Sequence, residues 1–130
     1  MIPKYRAWDS WRKRMSVVDR IYIDTEGVRL YDDFGEYWRD FRDVTLMQST
    51  GLFDEKGVEI FEGDIVQFED CYEVSDLLYI NTGFIEWCQG GFHVTNRDSV
   101  LMEDLLDGDS LDVTIIGNIH SNPELLEDKE

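Results

Sequence analysis

His93 and His120 are the only histidines of this 130-residue chain, and Cys71 and Cys88 its only cysteines. That inventory bounds the chemistry. A zinc site needs histidines and cysteines at ligand spacing, and neither C-x-x-C nor H-E-x-x-H occurs. Cys88 and His93 are near one another in sequence, and a nucleophile–base pair is the chemistry to test there. If Gln89-Gly90 forms a two-residue turn, these side chains fall on adjacent rungs, and nothing in the sequence orients the imidazole. Glu86 stands opposite His93 in that register, which predicts a surface pair worth about 0–1 kcal/mol. His120 reads as a capping or packing residue near a final turn. Asp104, Asp107, Asp109 and Asp112 invite a calcium reading, but Gly108 falls between Asp107 and Asp109 and breaks the EF-hand spacing. A solvated acidic turn fits better. No Gly-rich phosphate loop and no G-x-S-x-G elbow occurs. Arg12-Lys13-Arg14 beside Trp8 and Trp11 is the one basic–aromatic cluster. It could touch a phosphate backbone, although such a cluster is more often a turn with arginine stems packed on rings. The sequence therefore assigns no catalytic residue, no cofactor-binding residue and no metal ligand, and it predicts no cofactor.

Charge narrows the partners. Twelve Lys+Arg stand against 29 Asp+Glu, a net of −17. Residues 1–42 hold nine basic and eight acidic residues, whereas residues 43–130 hold three basic (Lys56, Arg97, Lys129) and 21 acidic. So acidic a segment repels nucleic acid and anionic lipid, so direct nucleic-acid binding is disfavoured. The charge serves solubility, or it makes a face for a basic partner or mimics nucleic acid. No apolar run approaches the ~20 residues of a membrane helix. The opening Met1–Arg6 has no apolar stretch, which predicts no secretory leader. Two cysteines and no Asn-X-Ser/Thr site fit a reducing cytoplasm with free thiols.

The elements that must position these residues alternate with period two. Residues 4–8 predict a short strand before an Asp9-Ser10 turn. Met15, Val17, Ile21 and Ile23 predict one buried strand face, broken by Asp19, within a hairpin over 15–31. Asp32–Gly35 reads as a turn, and 37–41 as a helical turn or a loop with buried rings. Strands follow at 44–47 and 65–68, each introduced or closed by Gly-containing turns at 54–57 and 62–64. Phe84–Thr95 predicts a hairpin with Trp87, Phe92, Ile85 and Val94 packed on one core face. Ser99 caps a predicted helix over 100–106, a strand covers 112–116, and Asn122-Pro123 opens a last helical turn. The sum is a mostly β fold, a small barrel or sandwich of short antiparallel strands with one or two short helices. It reads as a single domain over 1–130, with an N-terminal β lobe over 1–42 and an acidic β-barrel-like lobe over 43–126.

Four blocks carry a resemblance: Pro3–Asp9, Leu46–Leu52, Glu62–Val66 and Ile116–Leu126. In this order, across residues 3–126, they resemble the YopX family of phage and prophage proteins. Ser49 stands where the family usually has an aromatic residue, and His120 where it often has Tyr. The resemblance implies a mostly β protein carried by phages or prophages and acting in the bacterial cytoplasm. It implies no activity. The expected role is non-catalytic binding of a host or phage macromolecule. An acidic decoy of a nucleic-acid-binding protein is the second reading, and a metal-dependent hydrolase the third. Homo-oligomerisation is left open.

Overall fold

A computed structural model describes residues 4–71, 78–95, 99–107 and 110–126. The chain forms two compact units, Met1–Ser49 and Thr50–Glu130. In the first, β1 (Tyr5–Asp9), β2 (Arg14–Tyr22), β3 (Gly27–Asp32), β4 (Gly35–Asp40) and the start of β5 (Val44–Phe53) form an antiparallel sheet. The strand order is β4-β3-β2-β1-β5. A 3-10 turn, Phe41–Asp43, leads into β5. Ala7, Val28 and Leu30 are fully buried, and Val18, Tyr37, Phe41, Val44 and Leu46 pack on them.

β5 carries the chain across the boundary, and β6 (Glu59–Phe61) is its neighbour in the sheet order. In the second unit, β7 (Asp64–Cys71), β8 (Leu78–Cys88), β9 (Gly91–Thr95), β10 (Ser99–Leu101) and β13 (Thr114–Asn118) form a sheet ordered β10-β9-β8-β7-β13. A 3-10 turn over Met102–Leu105 precedes a small ribbon of β11 (Leu106–Asp107) and β12 (Ser110–Leu111). Another 3-10 turn covers Pro123–Leu126. The core here is Ile60, Val66, Ile85, Val94, Met102, Leu111 and Val113. The fold is mostly β, as its residue pattern predicts. Among the described residues neither sheet closes into a barrel, and the only helical turns are 3-10.

Several local expectations are corrected. The four apolar residues of β2 and its end do not share one buried face: Val17 pairs with exposed Tyr31 on the outer side, Ile21 pairs with fully buried Val28 on the inner side yet stays exposed, and Ser16 and Val18 turn inward. A bulge separates the two halves of the pattern. Val18 pairs with Leu30 and Arg20 with Arg29, leaving Asp19 as the extra residue. The sequence signals this as the break in alternation at Asp19. Residues 37–41 run mostly as strand β4, Tyr37 half-buried and Trp38 outward. The predicted helix over 100–106 is absent: Val100 pairs with Val94 in the ladder, and only one 3-10 turn follows. Ladder pairing of a β-branched residue outweighs a short, weak helix signal.

The hairpin over 84–95 has the predicted register, with Cys88–Gly91, Trp87–Phe92, Glu86–His93 and Ile85–Val94 paired. Gln89 and Gly90 have φ of 50° and 79°, so the two-residue turn is of the mirror-image kind that hairpins favour. Ile85 and Val94 are core, but Trp87 is 55 % exposed. It covers Phe92 edge-on, with ring centroids 4.9 Å apart, rather than filling the core.

Candidate binding surface

Asp9 ends β1 fully buried, and it organises the turn that follows. Its Oδ1 accepts from the backbone N–H of Trp11 at 2.9 Å and of Arg12 at 3.3 Å. Lys13 N–H donates to the Asp9 carbonyl at 2.8 Å, and Lys13 takes the positive φ of 56° that closes the turn. Arg39 Nε on β4 donates to Oδ1 at 3.3 Å and lies 3.2 Å from Oδ2. Burial alone would raise the Asp9 carboxyl. The Trp11 and Arg12 N–H groups, the Tyr37 hydroxyl and the Arg39 charge together outweigh it and hold the carboxyl below its ordinary 3.8. Burial pushes the Tyr37 hydroxyl above 10.0, aided by the Asp9 and Asp32 charges, against a hydrogen bond with Ser16 Oγ of 2.6 Å.

This buried cluster sets the surface above it. The Arg12 guanidinium lies 4.2 Å from the Tyr37 ring centroid, and that of Arg14 lies 5.0 Å from the Phe34 ring. Both donate to Asp32 Oδ2, at 3.3 and 3.4 Å. Asp32 Oδ1 in turn accepts from Phe34 N–H at 2.8 Å, fixing the β3–β4 turn. Between the two turns lies a groove of about 540 Å³, lined by residues 12–17 and 31–33. Trp11 and Phe34 on these turns are 73 % and 79 % exposed. The expected basic–aromatic cluster thus exists, with rings under its arginines. Its ring partners Tyr37 and Phe34 and its anchors Asp9, Asp32 and Arg39 were not legible as a group. An Asp followed by a turn is the one signal that pointed to Asp9.

The other candidates fall elsewhere. Cys88 Sγ and His93 Nδ1 are 3.2 Å apart, and Nδ1 also lies 3.2 Å from the Gly91 carbonyl, which orients the ring. His93 turns to these groups although Glu86 is its cross-strand partner. Half-buried His120 donates its backbone N–H to Asn118 Oδ1 at 3.0 Å. Asp112 is exposed, while Asp109 and the side chains of Asp104, Asp107 and Cys71 lie outside the described residues. Among the described residues no three His, Cys, Asp or Glu side chains group as a metal would require, and no helix is long and apolar enough to cross a membrane.

Comparison with known proteins places the architecture. The YopX protein family matches residues 4–127, almost the whole chain. The chain belongs to the YopX family. A crystal structure of an Enterococcus faecalis protein shares 31 % identity with it, covering 98 % of this chain and 99 % of that one, at a TM-score of 0.65. YopX from Bacillus subtilis shares 21 % identity and 98 % coverage of each chain, at a TM-score of 0.60, a likeness of fold alone. No curated protein matches. For a YopX-family chain the match spans both units, so the Asp9 cluster and the hairpin of Cys88 and His93 both lie within the family's extent.

Proposed function

We propose that this YopX-family chain is a non-catalytic interaction protein, carried by a phage or prophage and working in the bacterial cytoplasm. The supporting observation is the number of exposed apolar side chains on the first unit. Of the eleven exposed large apolar side chains among the described residues, seven belong to residues 1–49: Trp11, Val17, Ile21, Ile23, Tyr31, Phe34 and Trp38. Val17 and Tyr31 are direct cross-strand partners. Exposed aromatic and apolar side chains gathered on one small unit mark a contact surface. Affinity purification from the bacterial host tests this. The expected result is one stoichiometric partner with the wild type, lost with the Trp11→Ala, Phe34→Ala double variant. A partner retained by that variant would remove the first unit's surface from the reading.

A second reading has its own support, the coincidence of charge and unit boundaries. Residues 1–49 hold nine basic and nine acidic residues, and residues 50–130 hold three and 20. The whole excess of −17 therefore belongs to the second unit, and a basic partner, or the target of a nucleic-acid mimic, is the chemistry it would attract.

A further inference from the structure

We propose that the groove between the β1–β2 and β3–β4 turns binds an extended acidic–apolar segment of a partner protein. Arg12 and Arg14 take its carboxylates, and Met15, Val17 and Tyr31 take its apolar side chain. This rests on the interaction reading above and names the partner's chemistry at the same surface.

The arginines are set before any ligand arrives. Their side chains are 39 % and 41 % exposed, yet each is pinned to the nearly buried Asp32 and laid on a ring. A guanidinium carries five N–H donors in a rigid fork, and one shared carboxylate oxygen leaves donors for a further oxyanion. Fixing the forks in advance reduces the ordering cost of binding.

Charge selects the occupant. The groove is lined by Arg12, Lys13 and Arg14 against Asp32 and Asp33, a net of +1. One positive charge suits one or two carboxylates spaced among apolar residues. A nucleic-acid strand brings a phosphate at every nucleotide, more negative charge than a groove of net +1 with two lining carboxylates accommodates. A second copy of this chain also carries −17 overall, and the long-range repulsion between two such chains disfavours that pairing. One stretch of the groove's wall is apolar: Met15 and Val17 share one face of β2, with Tyr31 opposite Val17. Arg, Trp and Tyr are the side chains that dominate the energetics of interfaces.

The test is selection of random peptides of about eight residues on the full chain, followed by titration of the best binder. The expected peptides carry Asp or Glu beside Leu or an aromatic residue. Their binding should weaken about tenfold with Arg12→Gln plus Arg14→Gln, in a chain whose circular dichroism matches the wild type. Arg14→Lys, which keeps the charge and loses the fork, should restore little. Enrichment of basic peptides, equal binding by the double variant, or an oligothymidylate binding more tightly than the best peptide would overturn the proposal. If it fails while Trp11→Ala, Phe34→Ala still loses the co-purified partner, the interaction reading stands with a different partner chemistry.

Discussion

Asp9 is fully buried and ionised, and its partners explain why both hold at once. A carboxyl whose folded pKa lies below its unfolded value binds fewer protons in the folded state. Its contribution is present in full above about pH 4 and is lost as pH falls through the folded value. Tyr37 runs the other way: raised above 10.0, it contributes below that pH and loses its contribution as pH rises through the folded value. We expect Asp9→Asn to destabilise by about 2–4 kcal/mol at neutral pH, since it removes the charge facing Arg39 in a buried pair. Urea denaturation across pH should show the gap between variant and wild type narrowing below about pH 4. A gap unchanged in acid would mean that the Asp9 charge adds nothing. In the second unit, side-chain position decides the cost of truncation. Ile85→Ala should lose about 2–5 kcal/mol and Trp87→Ala at most about 1.5, because Ile85 is 1 % exposed and Trp87 makes chiefly one edge-on ring contact. Denaturant melts of the two variants check the order.

Turns and bulges carry the element-scale logic. Gln89 occupies a left-handed position with φ of 50°, which Asn adopts more readily. Gln89→Asn should therefore stabilise by about 0.5 kcal/mol, read from the shift of the denaturation midpoint, with the hairpin register unchanged. Gly117 is needed for space: a Cβ there would stand 2.5 Å from Asn122 Oδ1, the oxygen that accepts Asn118 N–H. That explains the Gly117-Asn118 and Asn122-Pro123 pairs of the family block as one folded unit. The hairpin over 84–95 was legible because cross-strand apolar pairs fix register locally. What was not legible is which apolar residues the core reaches. Ser16 is buried because the Tyr37 hydroxyl satisfies it, and Trp87 is exposed because it stands near the hairpin tip. Both facts depend on contacts that local periodicity does not encode. The Asp9 cluster was hidden for the same reason: Asp9, Ser16, Tyr37 and Arg39 come from three strands.

At the scale of the molecule, the second unit holds 20 acidic and three basic residues and must fold against its own repulsion. Screening relieves that repulsion, since the distance over which charges act falls from about 10 Å at 0.1 M salt to about 3 Å at 1 M. The first unit is neutral and holds ion pairs such as Arg12 and Arg14 with Asp32, which salt weakens slightly. Salt should therefore raise the unfolding midpoint of the second unit and leave that of the first nearly fixed. Trp87 is the only tryptophan of residues 50–130, and Trp8, Trp11 and Trp38 belong to the first unit, so single-tryptophan chains report on each separately. A Trp87 midpoint flat or falling between about 20 and 500 mM salt would show that the carboxylates are too dispersed to repel. A rising midpoint has a consequence for binding. A basic partner does the work of salt, so its stabilising effect on Trp87 unfolding should be greatest at low salt and fade as salt replaces it. A partner that stabilises the second unit equally at every salt concentration would be held by apolar contact, and the charge would serve solubility alone.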